Sequence, residues 1–481
     1  MKRTTIILIL IFIALNAKSQ DCNCESNFQW LKATFEENDA GFSYYLKQNG
    51  KINYKLLNKR IQEKSISVNN LTECQELLLE WVHFFRTEHI GIRLTNPITN
   101  YKQLTQKEII DKFKNWEKIN LSNEAFQKYL INNSTKEYEG VWVSDDYTLG
   151  IKKENGFYLG FIIKADGVYW QKGQVKFKIN ANDYSGIYYM KDHSPKKIDK
   201  VDMFEDRYIR LGSYLMLKRE NDNQNPNEKI DSYFKSINAN NPTVKKINDN
   251  TVILRIPHMW IQYKEVLDSL VTANKSLLTS EKNLIIDIRN NGGGSDLTYE
   301  SILPLIYTNP IRTVGAEFLS SNYNNTMLEY VINSNDFDQD TKDWAQNILD
   351  RANSNINHFV KMMDNEVEIT KYDTIYKYPA NVAILIDENV ASASEQFLLD
   401  VKQSKKVKVF GTTTAGGLDL ANVYEIVSPC EEFILEYATS RSMRIPELVI
   451  DEKGIQPDYF LDNSIPKYEW VDYVVKILNT K

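Results

Sequence analysis

The sequence predicts an α/β core built on a largely parallel sheet, preceded by a helical segment and a small antiparallel β module. Residues 382–386, VAILI, are apolar at every position, which reads as a strand buried on both faces. Two further strands, 251–256 and the apolar 283–288, alternate with helical stretches around 263–274 and from about 296. That alternation implies parallel strands covered by helices. Between 138 and 218, by contrast, Tyr, Trp, Ile and Val alternate with polar residues, as in a sheet with one solvated face.

At 481 residues the chain is too long for one ordinary domain, and about three fit its length. Residues 1–19 carry Lys2 and Arg3, then an apolar run from Ile6 to Leu15, then Ala17-Lys18-Ser19. This reads as a signal peptide cut before Gln20, since the run is short for a membrane span. The expected organisation is a helical domain over 20–137, a β-rich module over 138–225 and a core over 226–481, with a mostly helical insertion at about 316–378. Cleavage removes three bases and no acid, so the formal charge moves from −6 to −9. An acidic exported chain without a basic run is a poor nucleic-acid binder. Export permits disulfides among Cys22, Cys24, Cys74 and Cys430, and one of the first two could reach Cys74. The Cys22-x-Cys24 spacing is no metal pattern, and no metal or cofactor is expected. Oligomeric state is not encoded legibly.

Local signals place the elements. Thr72-x-x-Gln75 and Thr105-x-x-Glu108 resemble capping boxes opening helices. Glu154-Asn155-Gly156 supplies a hairpin turn, and the Asn-rich stretch 220–228 reads as a linker. His89 falls between the end of a helix near Arg86 and a short alternating strand, in Glu88-His89-Ile90-Gly91-Ile92.

The chemistry concentrates at two strand ends, where sites of open parallel sheets lie. Arg289-Asn290-Asn291-Gly292-Gly293-Gly294 follows one strand. It lacks the Lys-Ser/Thr of a phosphate loop, and a turn needing positive φ is its plainer reading. An oxyanion hole, with a glycine N–H aimed at developing charge, is the functional one. The second strand end leads to Ala391-Ser392-Ala393, where the serine would meet the positive end of a helix dipole. Ser392-x-x-Glu395 is formally a capping box, and taken alone the cap is the stronger reading. A serine nucleophile also requires a base. Five histidines are available: His83 inside a helix, His193 in a charged loop, His358 in the polar insertion, and His258 and His89 as candidates at element junctions.

Three segments together narrow the choice. LIIDIRNNGGG (284–294), VASASEQF (390–397) and VFGTTTAGG (409–417) resemble, in this order, the tail-specific or C-terminal processing serine peptidases. The resemblance covers roughly 251–462 and implies a crotonase/ClpP-like fold. The helix followed by Glu88-His89 resembles the N-terminal helical segment of the tricorn-like members, where the catalytic histidine resides. The resemblance makes Ser392 the nucleophile, Ala393 N–H one oxyanion donor, and Gly294 or Gly293 the other. Many members use a lysine base at a position that here holds Gly417, so the Ser–Lys dyad is absent and His89 takes its place, with His258 as the alternative. Tricorn-like members complete the relay with an acid three positions before a G-[IV]-x-P-D motif. In Gly454-Ile455-Gln456-Pro457-Asp458 that position is Asp451, with Glu452 beside it.

A histidine with a pKa near about 6.5 can accept the serine proton at neutral pH, and an acid would fix its tautomer. The family's usual PDZ domain has no counterpart pattern, and the β module stands in its place. The expectation is thus an exported serine endopeptidase acting on protein or peptide substrates through an acyl-enzyme. Beyond the signal peptide no membrane span is expected. A non-catalytic binding protein on the same fold, as among interphotoreceptor retinoid-binding relatives, is the alternative.

Overall fold

The computed structural model describes residues 22–95, 105–132, 137–198, 200–212, 214–220, 227–335 and 337–480. The expected signal peptide and most of the expected linker lie outside them. The chain forms two compact units. One comprises residues 1–95, 318–360 and 422–440; the other comprises 96–317, 361–421 and 441–481.

In the second unit a six-stranded sheet runs Thr243–Asn248, Thr251–Arg255, Asn283–Asp287, Asn381–Ile386, Val407–Gly411, Tyr459–Phe460 across its width. The first pair is antiparallel and every later pair is parallel. Side chains alternate between two cores. Val252, Leu254, Leu284, Ile286, Val382 and Ile384 join one, with Phe397 and Leu398 of the helix Ala393–Val401. Ile285, Ala383, Leu385 and Phe410 join the other, under Trp470 and Val474 of the helix Trp470–Asn479. Both faces are covered, which is why residues 382–386 show no polar alternation. Burying each such side chain contributes about 1.5–3 kcal/mol.

The β module of the same unit is a nine-stranded antiparallel sheet. Its hairpin between Thr148–Glu154 and Phe157–Lys164 turns at Asn155 (φ 49°) and Gly156 (φ 82°), both left-handed as a tight two-residue turn demands. The Thr105–Glu108 capping box is present in both directions, opening the helix Gln106–Phe113. This helix and the helix Asn123–Asn132 belong with the β module rather than with the helices before residue 95.

The first unit begins with helices Cys24–Asn38, Phe42–Asn49, Lys51–Ser65 and Leu71–Val82. Trp81 is their hub, with the rings of Phe28, Phe35 and Phe85 at 5.9, 5.5 and 5.2 Å. The cap expected at Thr72 sits two residues earlier, because the Asn70 side chain accepts from Glu73 N–H at 2.8 Å. Disulfides join Cys24 to Cys74 and Cys22 to Cys430. The stretch 316–378 holds the helices Asn322–Asn333 and Gln339–Asn353, but also the strands Ala316–Leu319, Phe359–Lys361 and Val367–Thr370. Its middle part packs with the N-terminal helices: Asn324 Nδ2 donates to Asn38 O at 2.9 Å, and Ser321 Oγ donates to Asn38 Oδ1 at 2.5 Å. Such pairings are long-range and leave no local pattern. Among the described residues no helix is long and apolar enough to cross a membrane.

Candidate active site

Three adjacent parallel strands, Asn283–Asp287, Asn381–Ile386 and Val407–Gly411, end on the same side of the sheet. They deliver three loops side by side: the glycine run, the turn to Ser392, and residues 412–417. Geometry follows from parallel pairing alone.

Ser392 has φ 56° and ψ −125°. A residue with a Cβ avoids that region, and a helix cap does not need it. Asn23, Asn70, Thr105, Ser321 and Asp338 all cap their helices in the extended region instead. Strain of this kind persists only where its surroundings impose it, and it clusters at functional sites. The surroundings here are explicit. Ser392 N–H donates to Gly417 O at 3.0 Å and to Glu395 Oε2 at 3.2 Å, while Ala391 N–H donates to Asn291 O at 3.3 Å. Glu395 is fully buried and also accepts from Gly416 and Gly417 N–H, both at 2.9 Å, and from Thr414 Oγ1. Burial pushes its carboxyl above the ordinary range, against the pull of these donors. As a capping-box partner Glu395 was visible in the sequence; as the clamp on the neighbouring loop it was not.

The glycine run approaches the same turn. A Cβ on Gly293 (φ 98°) would lie 2.7 Å from both Ala391 O and Ser392 Cβ, and 2.9 Å from Ala393 N. Only a glycine lets the loop come this close. The Gly293 N–H is occupied, donating to Asn291 Oδ1 at 3.1 Å. The N–H groups of Gly294 and Ala393 enter no hydrogen bond among the described residues.

Asp451 is 5% exposed, and its Oδ1 accepts from Leu418 and Asp419 N–H at 2.7 and 2.6 Å. Asp419 returns the arrangement, its Oδ2 accepting from Ile450 and Asp451 N–H at 2.6 and 3.0 Å. The pair ties the Asp451 loop to the residues just after Gly417, and Glu452 N–H adds a bond to Gly416 O at 2.8 Å. The Glu452 side chain itself is exposed. Nothing in the local sequence announced Asp419.

His89 belongs to the first unit, half-buried, with φ 52°. The buried Arg86 guanidinium meets Asp39 through two bonds of 2.9 and 2.6 Å, and donates to Glu88 O and His89 O at 3.1 Å each. Directly beyond, the strand Gly91–Leu94 pairs antiparallel with residues 433–436. His89 is therefore held between a buried ion pair and a sheet edge.

The other histidines separate clearly. His258 is in the second unit, stacked on Trp260 at 4.3 Å, and burial followed by Arg255 lowers its pKa. His83 and His358 are exposed. His193 lies in a loop of the β module, but its ring is buried, sandwiched between Trp170 at 3.8 Å and Phe113 at 3.9 Å, with Nε2 2.7 Å from Tyr169 O. Burial lowers its pKa to about 4. The folded protein thus disfavours the proton that the unfolded chain accepts below about 6.5. Stability is expected to fall by about 3 kcal/mol as pH drops from 6.5 to 4. Denaturation of a His193→Phe variant across that window checks this, since it should lack that part of the slope.

A serine on a strained strand-to-helix turn, beside a glycine loop and two unengaged N–H groups, defines the arrangement of a nucleophilic hydrolase. Residues 250–461 match the profile of peptidase family S41. This segment belongs to that family, and the chain is a serine-type peptidase. No curated protein matches the chain. Among solved structures it is similar to mature CPAF, at 12% identity over 95% of this chain and 96% of that one, with a TM-score of 0.51. Mature CPAF complexed with lactacystin is similar to the same degree, covering 97% of that chain. At 12% identity these likenesses concern the fold.

Proposed function

We propose that this peptidase is an exported endopeptidase that cleaves protein or peptide substrates through an acyl-enzyme on Ser392. The strained Ser392 turn beside Gly293 carries the reading. His89 removes the serine proton and returns it to the leaving amine. Asp451, buried and already oriented by two N–H donors, suits the relay acid better than the exposed Glu452. Ala393 and Gly294 N–H hold the oxyanion; Gly293 N–H is committed to Asn291. Support for His89 comes from its own well-held turn and from its sequence setting.

The parallel sheet with helices on both faces is compatible with a crotonase/ClpP-like architecture, which we assign to residues 226–481. Export is supported by residues 1–19 and by two disulfides, which persist in oxidising compartments. The deciding experiment is exposure of the folded protein to a fluorophosphonate, followed by mapping of the adduct. Modification of Ser392 alone is the expected result. Folded protein that takes no label would indicate a binding protein on a peptidase fold.

A further inference from the structure

At the start of the Ser392 turn, a group of charges centred on the buried Arg210 and the half-exposed Glu388 links the β module to the strand ends of the candidate site, and the proposed chemistry makes no use of it. Arg210 lies on the strand Tyr208–Leu211 of the nine-stranded sheet and is 4% exposed. Its Nε and Nη2 donate to Asp202 Oδ2, on the neighbouring strand Val201–Phe204, at 3.2 and 2.8 Å. The same Nη2 donates at 3.2 Å to Glu388 Oε1, within the turn that ends at Ser392. Glu388 also receives Lys467 Nζ, and Thr412 Oγ1 at 3.2 Å. Burial opposes its charge, yet Lys467 and then Arg210 hold its pKa down to about 2.

The adjacent Asp387 extends the connection. Its Oδ1 accepts from Asn290 N–H at 2.8 Å and Asn389 N–H at 3.2 Å, joining the nucleophile turn to the base of the glycine loop. Behind it Arg289 grips Asp287 at 3.0 and 2.8 Å, and Tyr233 faces Arg289 at 5.1 Å. Arg210 Nη1, Arg255 Nη2, Tyr233 Oη and Asp387 Oδ2 are buried here without a hydrogen-bond partner among the described residues.

We propose that Arg210 is a positioning residue for Ser392, acting through Glu388, so that the β module forms part of the support of the nucleophile. This rests on Ser392 as nucleophile. A shift of about 1 Å in such a turn can cost on the order of 100-fold in rate. The test uses the full chain with Arg210→Met, Arg210→Lys, Glu388→Ala and the double variant Arg210→Met/Glu388→Ala. Fluorophosphonate acylation, kcat and KM on a cleaved peptide, and deuterium uptake over 387–396 are followed.

Arg210→Met and Glu388→Ala should each slow acylation by about 10-fold or more, with KM within about 2-fold. The double variant should be no slower than the slower single one, and Arg210→Lys should recover part of the rate. Uptake should rise over 387–396 and not over 381–386. Unchanged acylation and uptake in Glu388→Ala, or losses that multiply in the double variant, would overturn the proposal. If Arg210→Met fails to fold, Glu388→Ala decides, since that side chain is 48% exposed. Wild-type protein that takes no label would refute the Ser392 reading, while deuterium uptake would still decide the role of Arg210.

Discussion

Ser392→Ala and His89→Ala are each expected to lower kcat/KM by roughly 10⁴-fold or more, and the double variant should be no worse than the poorer single one. Nucleophile and base act as a unit, so once one is gone the other has nothing left to do. The residual rate would come from the oxyanion donors and substrate binding. Neither change should alter the unfolding transition much. Alanine at 392 leaves the Glu395 clamp on Gly416 and Gly417 intact, and His89 contributes its carbonyl, not its ring, to the bonds from Arg86. His258→Ala is the control and should stay within about 3-fold of wild type. Full activity in His89→Ala would instead move the base to His258, which shares a unit with Ser392.

The second large effect concerns a residue with no reactive group. Gly293→Ala should reduce kcat/KM by about 10²- to 10³-fold, whereas Gly292→Ala should be nearly silent. The methyl at 293 would lie 2.7 Å from Ala391 O and Ser392 Cβ at a φ of 98°, so the loop must retreat from the turn it serves. At 292 the same methyl meets nothing within 4 Å and no left-handed φ is required. The two glycines are adjacent and chemically identical, so peptide cleavage by the pair separates the close approach and left-handed backbone at 293 from the mere loss of a glycine. Equal activities would mean that proximity of the glycine loop to Ser392 is unimportant.

What the sequence revealed depended on the range of the interaction. The strand at 382–386 could be read because burial on both faces leaves it apolar throughout, and those at 251–256 and 283–288 because apolar residues still fill their middles. The hairpin at Asn155-Gly156 and the cap at Thr105 were equally readable, being local. The start of the helix at Leu71 was misplaced because Asn70 and Thr72 are both short polar side chains, and only the bond to Glu73 N–H separates them. The charged loop around His193 gave no sign that Trp170 and Phe113, distant in sequence, enclose its ring. Ser392 could be nominated from its setting, but its left-handed backbone arises from bonds to Gly417 and the approach of Gly293. The assembly of the first unit from residues 1–95, 318–360 and 422–440 has no local signature.

That assembly sets a timetable for biogenesis. The strand after His89 gains its partner only when residues 433–436 exist, and Cys22 gains its own only at residue 430. As the chain emerges from a ribosome, the proposed nucleophile Ser392 is therefore synthesised before the strand that frames His89 has its partner. With His89 as the proposed base, cleavage can begin only after residues 433–436 have been made.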